Sequence, residues 1–283
     1  MNPQLPIIPL AHDGTGAEIF LQGAHLARFQ TQNGGELLWV SEQSHFQTRK
    51  PIRGGIPLIF PWFGPRKDDS ASPAHGFART MEWRTESATE NTLTLFLESN
   101  GATLAAWPHP FRLVYRVAIE AEKLSLALQI HNIGDADFQF ETALHTYFRV
   151  SDVRNIVIDG LNGKTYLDKT RNMVRQTQNG PIRIEGETDR VYLDSRGPIT
   201  LRDGARTVRI SDLGGVKSSV VWNPWTEKAR ALPDLGDDEW PEFVCIESGV
   251  IADDAETLAA GECYEMAVGI EFDDANRKNG AAS

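Results

Sequence analysis

The chain has 283 residues, 41% of them hydrophobic and 24% charged, with a formal net charge of -11 and a pI near 5.1. That composition supplies ample apolar material for a folded core and excludes a disordered chain. The acidic balance, with no block of basic residues, excludes nucleic acid and a membrane surface as partners, so an anionic small ligand must be caught by a few local arginines working against the overall field.

The opening stretch, MNPQLPIIPLAHDG, carries no Lys or Arg before an apolar run that prolines interrupt, so it does not read as a secretory signal. No run of about eighteen apolar residues follows to span a bilayer. With Cys245 and Cys263 as the only cysteines, reduced thiols and a cytoplasmic location are expected.

Arg53 to Pro65, RGGIPLIFPWFGP, is the first segment with chemical interest. Gly54-Gly55 permits a sharp turn or a close approach to a ligand, and three prolines stiffen a loop that carries Trp62 and Phe63. His75 to Thr80, HGFART, follows closely. Arg53, His75 and Arg79 suit a cationic pocket for phosphate or carboxylate, and structural salt bridges account for the same residues equally well.

Strand patterns then dominate. Leu93, Leu95 and Leu97 share one parity, as do Phe111, Leu113, Tyr115, Val117 and Ile119 against Arg112, Arg116 and Glu120, and then Leu124, Leu126, Leu128 and Ile130. Phe138 to Val150, FQFETALHTYFRV, reads as one long strand with two unlike faces. Phe138, Phe140, Leu144, Phe148 and Val150 lie on one, with Thr142 and Thr146; Gln139, Glu141, His145, Tyr147 and Arg149 lie on the other. The second face suits a carbohydrate floor, and a solvated strand face with an ordinary His is the plainer reading.

Thr188 to Leu193, TDRVYL, offers Asp189 as an acceptor for sugar hydroxyls, and Val220 to Trp225, VVWNPW, offers Trp222 or Trp225 as a stacking platform. A turn-ending Asp and core tryptophans are the competing readings. Pro233 to Pro241, with Asp234, Asp237, Asp238 and Glu239, reads as an exposed acidic loop or short helical turn. Phe243 to Gly249, FVCIESG, puts Glu247 at the end of an apolar row, where burial would make it a better base, or where it rotates into water or pairs with an arginine. Tyr264, Met266, Val268, Ile270 and Phe272 form the last alternating strand, and 273–283 is expected to be a mobile tail.

Asn33-Gly34-Gly35, Asn100-Gly101, Asn132 to Asp135, Asn162-Gly163, Asn179-Gly180 and Asp203-Gly204 punctuate these strands as turns. No linker or composition shift divides them and no sustained helical period appears. An all-β fold is expected, one large antiparallel β-sandwich over residues 1–272.

Taken together, RGGIP, FPWFG, HGFAR, ALHTYF, TDRVY, VVWNPW and CIESG, in that order, resemble the glucose-6-phosphate 1-epimerase group of the aldose 1-epimerases, from about Gly23 to Phe272. The resemblance implies a single β-supersandwich of the galactose mutarotase type with the sugar on its concave face, and acid and base catalysis with no metal and no cofactor. It implies His145 and Glu247 as the catalytic pair, Arg53 and Arg79 on phosphate, and His75 and Asp189 on the sugar, with Trp62 and Trp222 as further binding residues. The expected partner is a small-molecule sugar phosphate, and the chain is expected to act as a monomer.

Anomer exchange needs one proton removed from the anomeric hydroxyl and one delivered to the ring oxygen. Glu247 is expected as the base and a protonated His145 as the acid, kept charged by a nearby carboxylate. Glu141 is a poor choice for that carboxylate, since four residues of strand place it roughly 13 Å away; Asp189 or Glu247 itself fits better. The alternatives are a non-catalytic carbohydrate-binding protein, an epimerase for an unphosphorylated sugar, and a glycoside hydrolase, which is disfavoured because it usually needs two carboxylates. A metal site from His75, His145 and Glu247 lacks any short ligand spacing.

Overall fold

The computed structural model describes residues 5–66, 69 and 72–274. Among them, two eight-stranded sheets face each other, with a four-stranded sheet from Ile7 to Glu36 at one end and a two-stranded ribbon, Phe138–Phe140 with Glu256–Leu258. Every strand pair is antiparallel, as short hairpin connections demand. The architecture is the antiparallel all-β sandwich that the alternating patterns predict.

The back sheet shows how sequence sets register. Phe111–Glu120 and Lys123–Asn132 pair in full, and Phe111, Leu113, Tyr115, Val117 and Ile119 are all buried, while Arg116 and Glu120 face water. Slipping this pair by one residue would turn five large apolar side chains outward, so the core fixes the pairing. Leu93, Leu95 and Leu97 join the same layer, as do Met266, Val268, Ile270 and Phe272 on the strand Cys263–Asp274. That strand reaches two residues into the expected tail; 275–283 lie outside the described residues.

The front sheet carries the chemistry. Its central strand, Phe243–Val250, is buried at every position, with Ser218–Asn223 on one side and Thr142–Leu144 and Tyr147–Arg149 on the other. Beyond Ser218–Asn223 come Thr188–Tyr192, Thr165–Asp168 and Val174–Thr177.

Several expectations are corrected. Phe138 to Val150 is three short strands, broken at Glu141 and again at His145-Thr146, and its first piece pairs in the small ribbon. Asn100-Gly101 is a helix start: Asn100 accepts from Ala102 N and Thr103 N and caps Gly101–Ala106, because an Asn in extended conformation satisfies the first free amides. The stretch Pro233 to Pro241 is only partly exposed. Asp237 and Asp238 face water, but Asp234 is buried, and Glu239 accepts from Ser41 Oγ, Glu42 N and Gly236 N.

Candidate active site

The concave side of the front sheet is assembled from neighbouring strands in register. Asp189 stands opposite Trp222, Trp222 opposite Cys245, and Cys245 opposite Tyr147, while Glu247 lies two residues on from Cys245 and His145 two before Tyr147. Period-two alternation therefore delivers Asp189, Trp222, Glu247, His145 and Tyr147 to one face.

His145 occupies the break between two strands. Its N–H donates to Pro57 O, and Thr146 N donates back to Leu144 O across it, a three-residue turn. The ring stacks on Tyr147, with centroids 4.9 Å apart and planes 13° from parallel, and meets Trp222 edge-on at 5.9 Å. So held, His145 Nε2 lies 3.2 Å from Glu247 Oε1. Of the two carboxylates the sequence left open, Glu247 is the one beside His145. Neither His145 Nδ1 nor Glu247 Oε2 has a hydrogen-bond partner, although both are buried. A solvated strand face with an ordinary His is therefore not what the fold provides.

Burial holds His145 well below the usual histidine range, and the charges of Arg79 and Arg53 depress it further. Burial likewise raises Glu247 well above the usual carboxyl range, against the opposing pull of Lys169. The same cause favours the neutral form of each partner. The carboxylate expected beside His145 is in place, and loss of hydration works against the charge it would support.

The two predicted phosphate arginines differ. Arg53 Nη2 lies 2.9 Å from Asp234 Oδ1 and its Nη1 donates to the Tyr147 hydroxyl at 3.0 Å, so its charge is already compensated. Arg79 donates from Nη2 to Ala74 O, its Nε has no partner, and no carboxylate is bonded to it among the described residues. Burial, with the like charge of Arg53, lowers Arg79 to about 10, which still leaves a cation at neutral pH. A half-buried cation with no carboxylate bonded to it is the arrangement an incoming anion relieves.

His75 sits at a left-handed position, φ 66°, and its Nδ1 accepts from Gly64 N at 3.3 Å. Its ring meets Phe63 at 4.8 Å and His145 at 5.6 Å, both edge-on, and burial followed by the charge of Arg79 keeps it neutral. Next to it Gly76, also left-handed, packs so tightly that a Cβ would fall 2.0 Å from Phe60 O, so glycine is required there. Gly54 and Gly55 serve packing too, since a Cβ on either would lie 2.4 Å from a backbone oxygen, of Trp39 or Leu26.

Asp189 is buried and ion-paired with Lys169 at 3.1 Å. Trp222 stands on the floor of the cleft, whereas Trp62 belongs to its edge: the indole N–H donates to Pro73 O and the Arg66 guanidinium covers the ring at 5.0 Å. Trp225 packs against Trp240. A cavity of about 700 Å³ lies beside the Phe63 loop, lined by Trp62, Phe63, Glu141, Lys169, Val191 and Ile251 among others, and neither His145 nor Glu247 reaches its wall.

Four residues here escaped sequence reasoning. Asp234 was read as a loop charge; Tyr147 was only one member of a polar face. Lys169 follows a strand end where Asp168 accepts from Thr170 N, a short D-x-T cap that signals a turn without revealing what the lysine meets. Glu141 accepts from Phe63 N at 2.8 Å and from Ala252 N at 2.7 Å, so it ties two site loops together. No group of three or more His, Cys, Asp or Glu able to hold a metal occurs among the described residues.

Fold and cleft together define the class: an enzyme on a galactose mutarotase-like β-supersandwich, its polar residues gathered on one concave sheet. The aldose 1-epimerase family model matches residues 6–271, and the chain belongs to that family. A Cenchrus ciliaris protein provisionally named a glucose-6-phosphate 1-epimerase is 35% identical over 260 residues, 87% of this chain and 78% of that protein. A Salmonella typhimurium protein with the same provisional name is 33% identical over 250 residues, covering 86% of this chain and 83% of its own length. A crystal structure from Salmonella typhimurium, provisionally described as a mutarotase, superposes with a TM-score of 0.88 at 30% identity, over 96% of this chain and 91% of that one.

Proposed function

We propose that this protein interconverts the α and β anomers of a hexose 6-phosphate by acid and base catalysis, with His145 and Glu247 as the catalytic pair and Arg79 as the principal phosphate ligand. The observation that carries this reading is the buried His145–Glu247 contact at 3.2 Å, each partner keeping one polar atom unpaired, beside an arginine without a counter-ion. A protein that only binds sugar has no need of such a pair. The names of the relatives point to the same substrate class.

The proton inventory suits the reaction. Transfer of a proton from Glu247 to the imidazole across their 3.2 Å contact readies the base and the acid together. Glu247 then removes the proton of the anomeric hydroxyl while His145 delivers one to O5. The C1–O5 bonding pair leaves with O5, and the O1 electrons form the aldehyde. Rotation about C1–C2 and closure on the other face, with the roles reversed, gives the second anomer and restores the pair.

Asp189 and His75 serve as partners for sugar hydroxyls and Trp222 as an apolar floor. Arg53 acts behind Arg79 by holding Tyr147 and Asp234. We read the protein as a monomer in the cytoplasm; the free thiols of Cys245 and Cys263 suit a reducing compartment.

Polarimetry of a freshly dissolved pure anomer tests the reading. Decay of the optical rotation of α-glucose 6-phosphate should speed up in proportion to protein. Tight binding of the sugar phosphate with decay at the spontaneous rate would establish the binding-protein alternative.

A further inference from the structure

We propose that Lys169 is a positioning residue of this site: its ammonium, held between the carboxylate of Asp189 and the ring of Phe63, aims Asp189 at the sugar and sets a positive charge at the cavity end of the cleft. This rests on the anomer-exchange reading, and it adds a residue that lies outside all seven of the motifs quoted above.

Geometry carries the assignment. Lys169 opens the turn Lys169–Arg171 directly after the strand Thr165–Asp168, and Asp168 stands opposite Arg190 in the sheet, so the same register carried one residue further brings Lys169 opposite Asp189. Its Nζ reaches Asp189 Oδ2 at 3.1 Å and lies 5.2 Å from the centroid of Phe63. Phe63 in turn meets His75, and His75 meets His145, so Lys169 begins a chain of contacts that ends at the catalytic pair. It also lines the cavity that Phe63 borders.

The arrangement has a purpose only if Asp189 must be both charged and aimed. Burial raises the Asp189 carboxyl above its usual range while Lys169 works against that rise. No hydrogen bond from another protein group to Asp189 Oδ1 occurs among the described residues, so holding Oδ2 leaves Oδ1 to accept from a hydroxyl. The lysine also acts on the pair through space. Its field favours deprotonation of both His145 and Glu247, alongside Arg53 and Arg79; His75 is subject to the same charges, and Lys228 and Glu187 face Asp189. Removing one positive charge must move both proton-loss steps of the pair to higher pH.

The test compares wild type, Lys169→Met, Lys169→Arg, Asp189→Asn and the Lys169→Met/Asp189→Asn double variant in anomerisation of glucose 6-phosphate across pH. Lys169→Met should raise KM about tenfold, the loss of one charged hydrogen bond, with a smaller fall in kcat. Its bell of kcat/KM against pH should move to the alkaline side by about one unit. Lys169→Arg should recover most of KM and return the bell, and the double variant should be little worse than Asp189→Asn. Normal wild-type turnover with an unmoved Lys169→Met profile overturns the role of Lys169 alone, as does full additivity in the double variant. Wild-type protein that leaves anomerisation at its spontaneous rate overturns the activity reading, and Lys169 with it.

Discussion

The imidazole of His145 lies flat on the phenol ring of Tyr147, centroids 4.9 Å apart, while the Tyr147 hydroxyl accepts from Arg53 Nη1. One face of the histidine is thereby fixed by a ring that is itself fixed by a guanidinium, and the edge of Trp222 limits rotation from the side. Such packing holds Nε2 toward Glu247 without spending a hydrogen bond on orientation.

From this follows the first prediction. Glu247→Gln and His145→Asn should each lower kcat by about a hundredfold to ten-thousandfold, and the double variant should be scarcely worse than either, because the two act as one unit. Melting temperature separates this from misfolding. Glu247→Gln removes a carboxyl that is expensive to bury, so the variant should melt no lower than wild type. Near-normal turnover by Glu247→Gln removes it from the catalytic pair.

The two arginines should part company when replaced. Arg79→Ala should raise KM for glucose 6-phosphate far more than for free glucose, with little loss of stability, since no carboxylate among the described residues is bonded to it. Arg53→Ala strips the buried Asp234 of its partner and frees Tyr147, and should destabilise the fold by about 3 kcal/mol. Urea unfolding and steady-state kinetics on both variants check this pairing. Equal effects of Arg79→Ala on the two sugars would end its phosphate role.

The back sheet was legible from sequence because one face of each strand meets core and the other water, so period two survives in the residue types. The front sheet was harder. Phe243–Val250 is covered on both sides and reads as a plain apolar run in which only Glu247 stands out. The breaks leave no mark on alternation: the one at Glu141 keeps parity while changing the partner strand, and the one at His145-Thr146 resumes the same register on Phe243–Val250. Pairings across long separations, such as Arg53 with Asp234 or Lys169 with Asp189, depend on tertiary approach that no local pattern encodes. The motifs that resemble a known family located the residues of the cleft. They did not distinguish an arginine committed to the fold from one left open to a ligand.

His25 provides a pH prediction. It is fully buried, and burial, with the charge of Arg79 next in weight, lowers it to about 3. In the unfolded chain a histidine takes up its proton near 6.5. Between these values the unfolded state binds more protons than the folded one, so stability is complete above about pH 6.5 and declines as pH falls toward 3. The slope is about 1.4 kcal/mol per pH unit for a single such histidine. Replacing His25 with Gln should flatten that decline by about this amount, read from urea midpoints at pH 7, 6 and 5. An unchanged slope would place the proton uptake at His75 and His145, which burial depresses in the same direction.

Glu141 tests whether the loops around the cleft are held from a distance. Its two oxygens accept separately from Phe63 N and Ala252 N, on segments almost two hundred residues apart in sequence that both border the cavity. In Glu141→Gln the amide oxygen can accept only one of these bonds well, because its NH₂ group is a donor facing another donor. The Phe63 loop carries His75 against it and reaches Lys169 through the same ring. Loosening it should therefore impair the approach of His75 to the sugar more than it impairs the His145–Glu247 pair, which is held by other strands. The expected result is a KM raised several-fold, kcat within about threefold of wild type, and a stability loss of about 1 to 3 kcal/mol for an amide left unsatisfied. A fall in kcat as large as that of Glu247→Gln would mean that the clamp positions the catalytic pair itself, and the division of labour between loop and sheet would have to be redrawn.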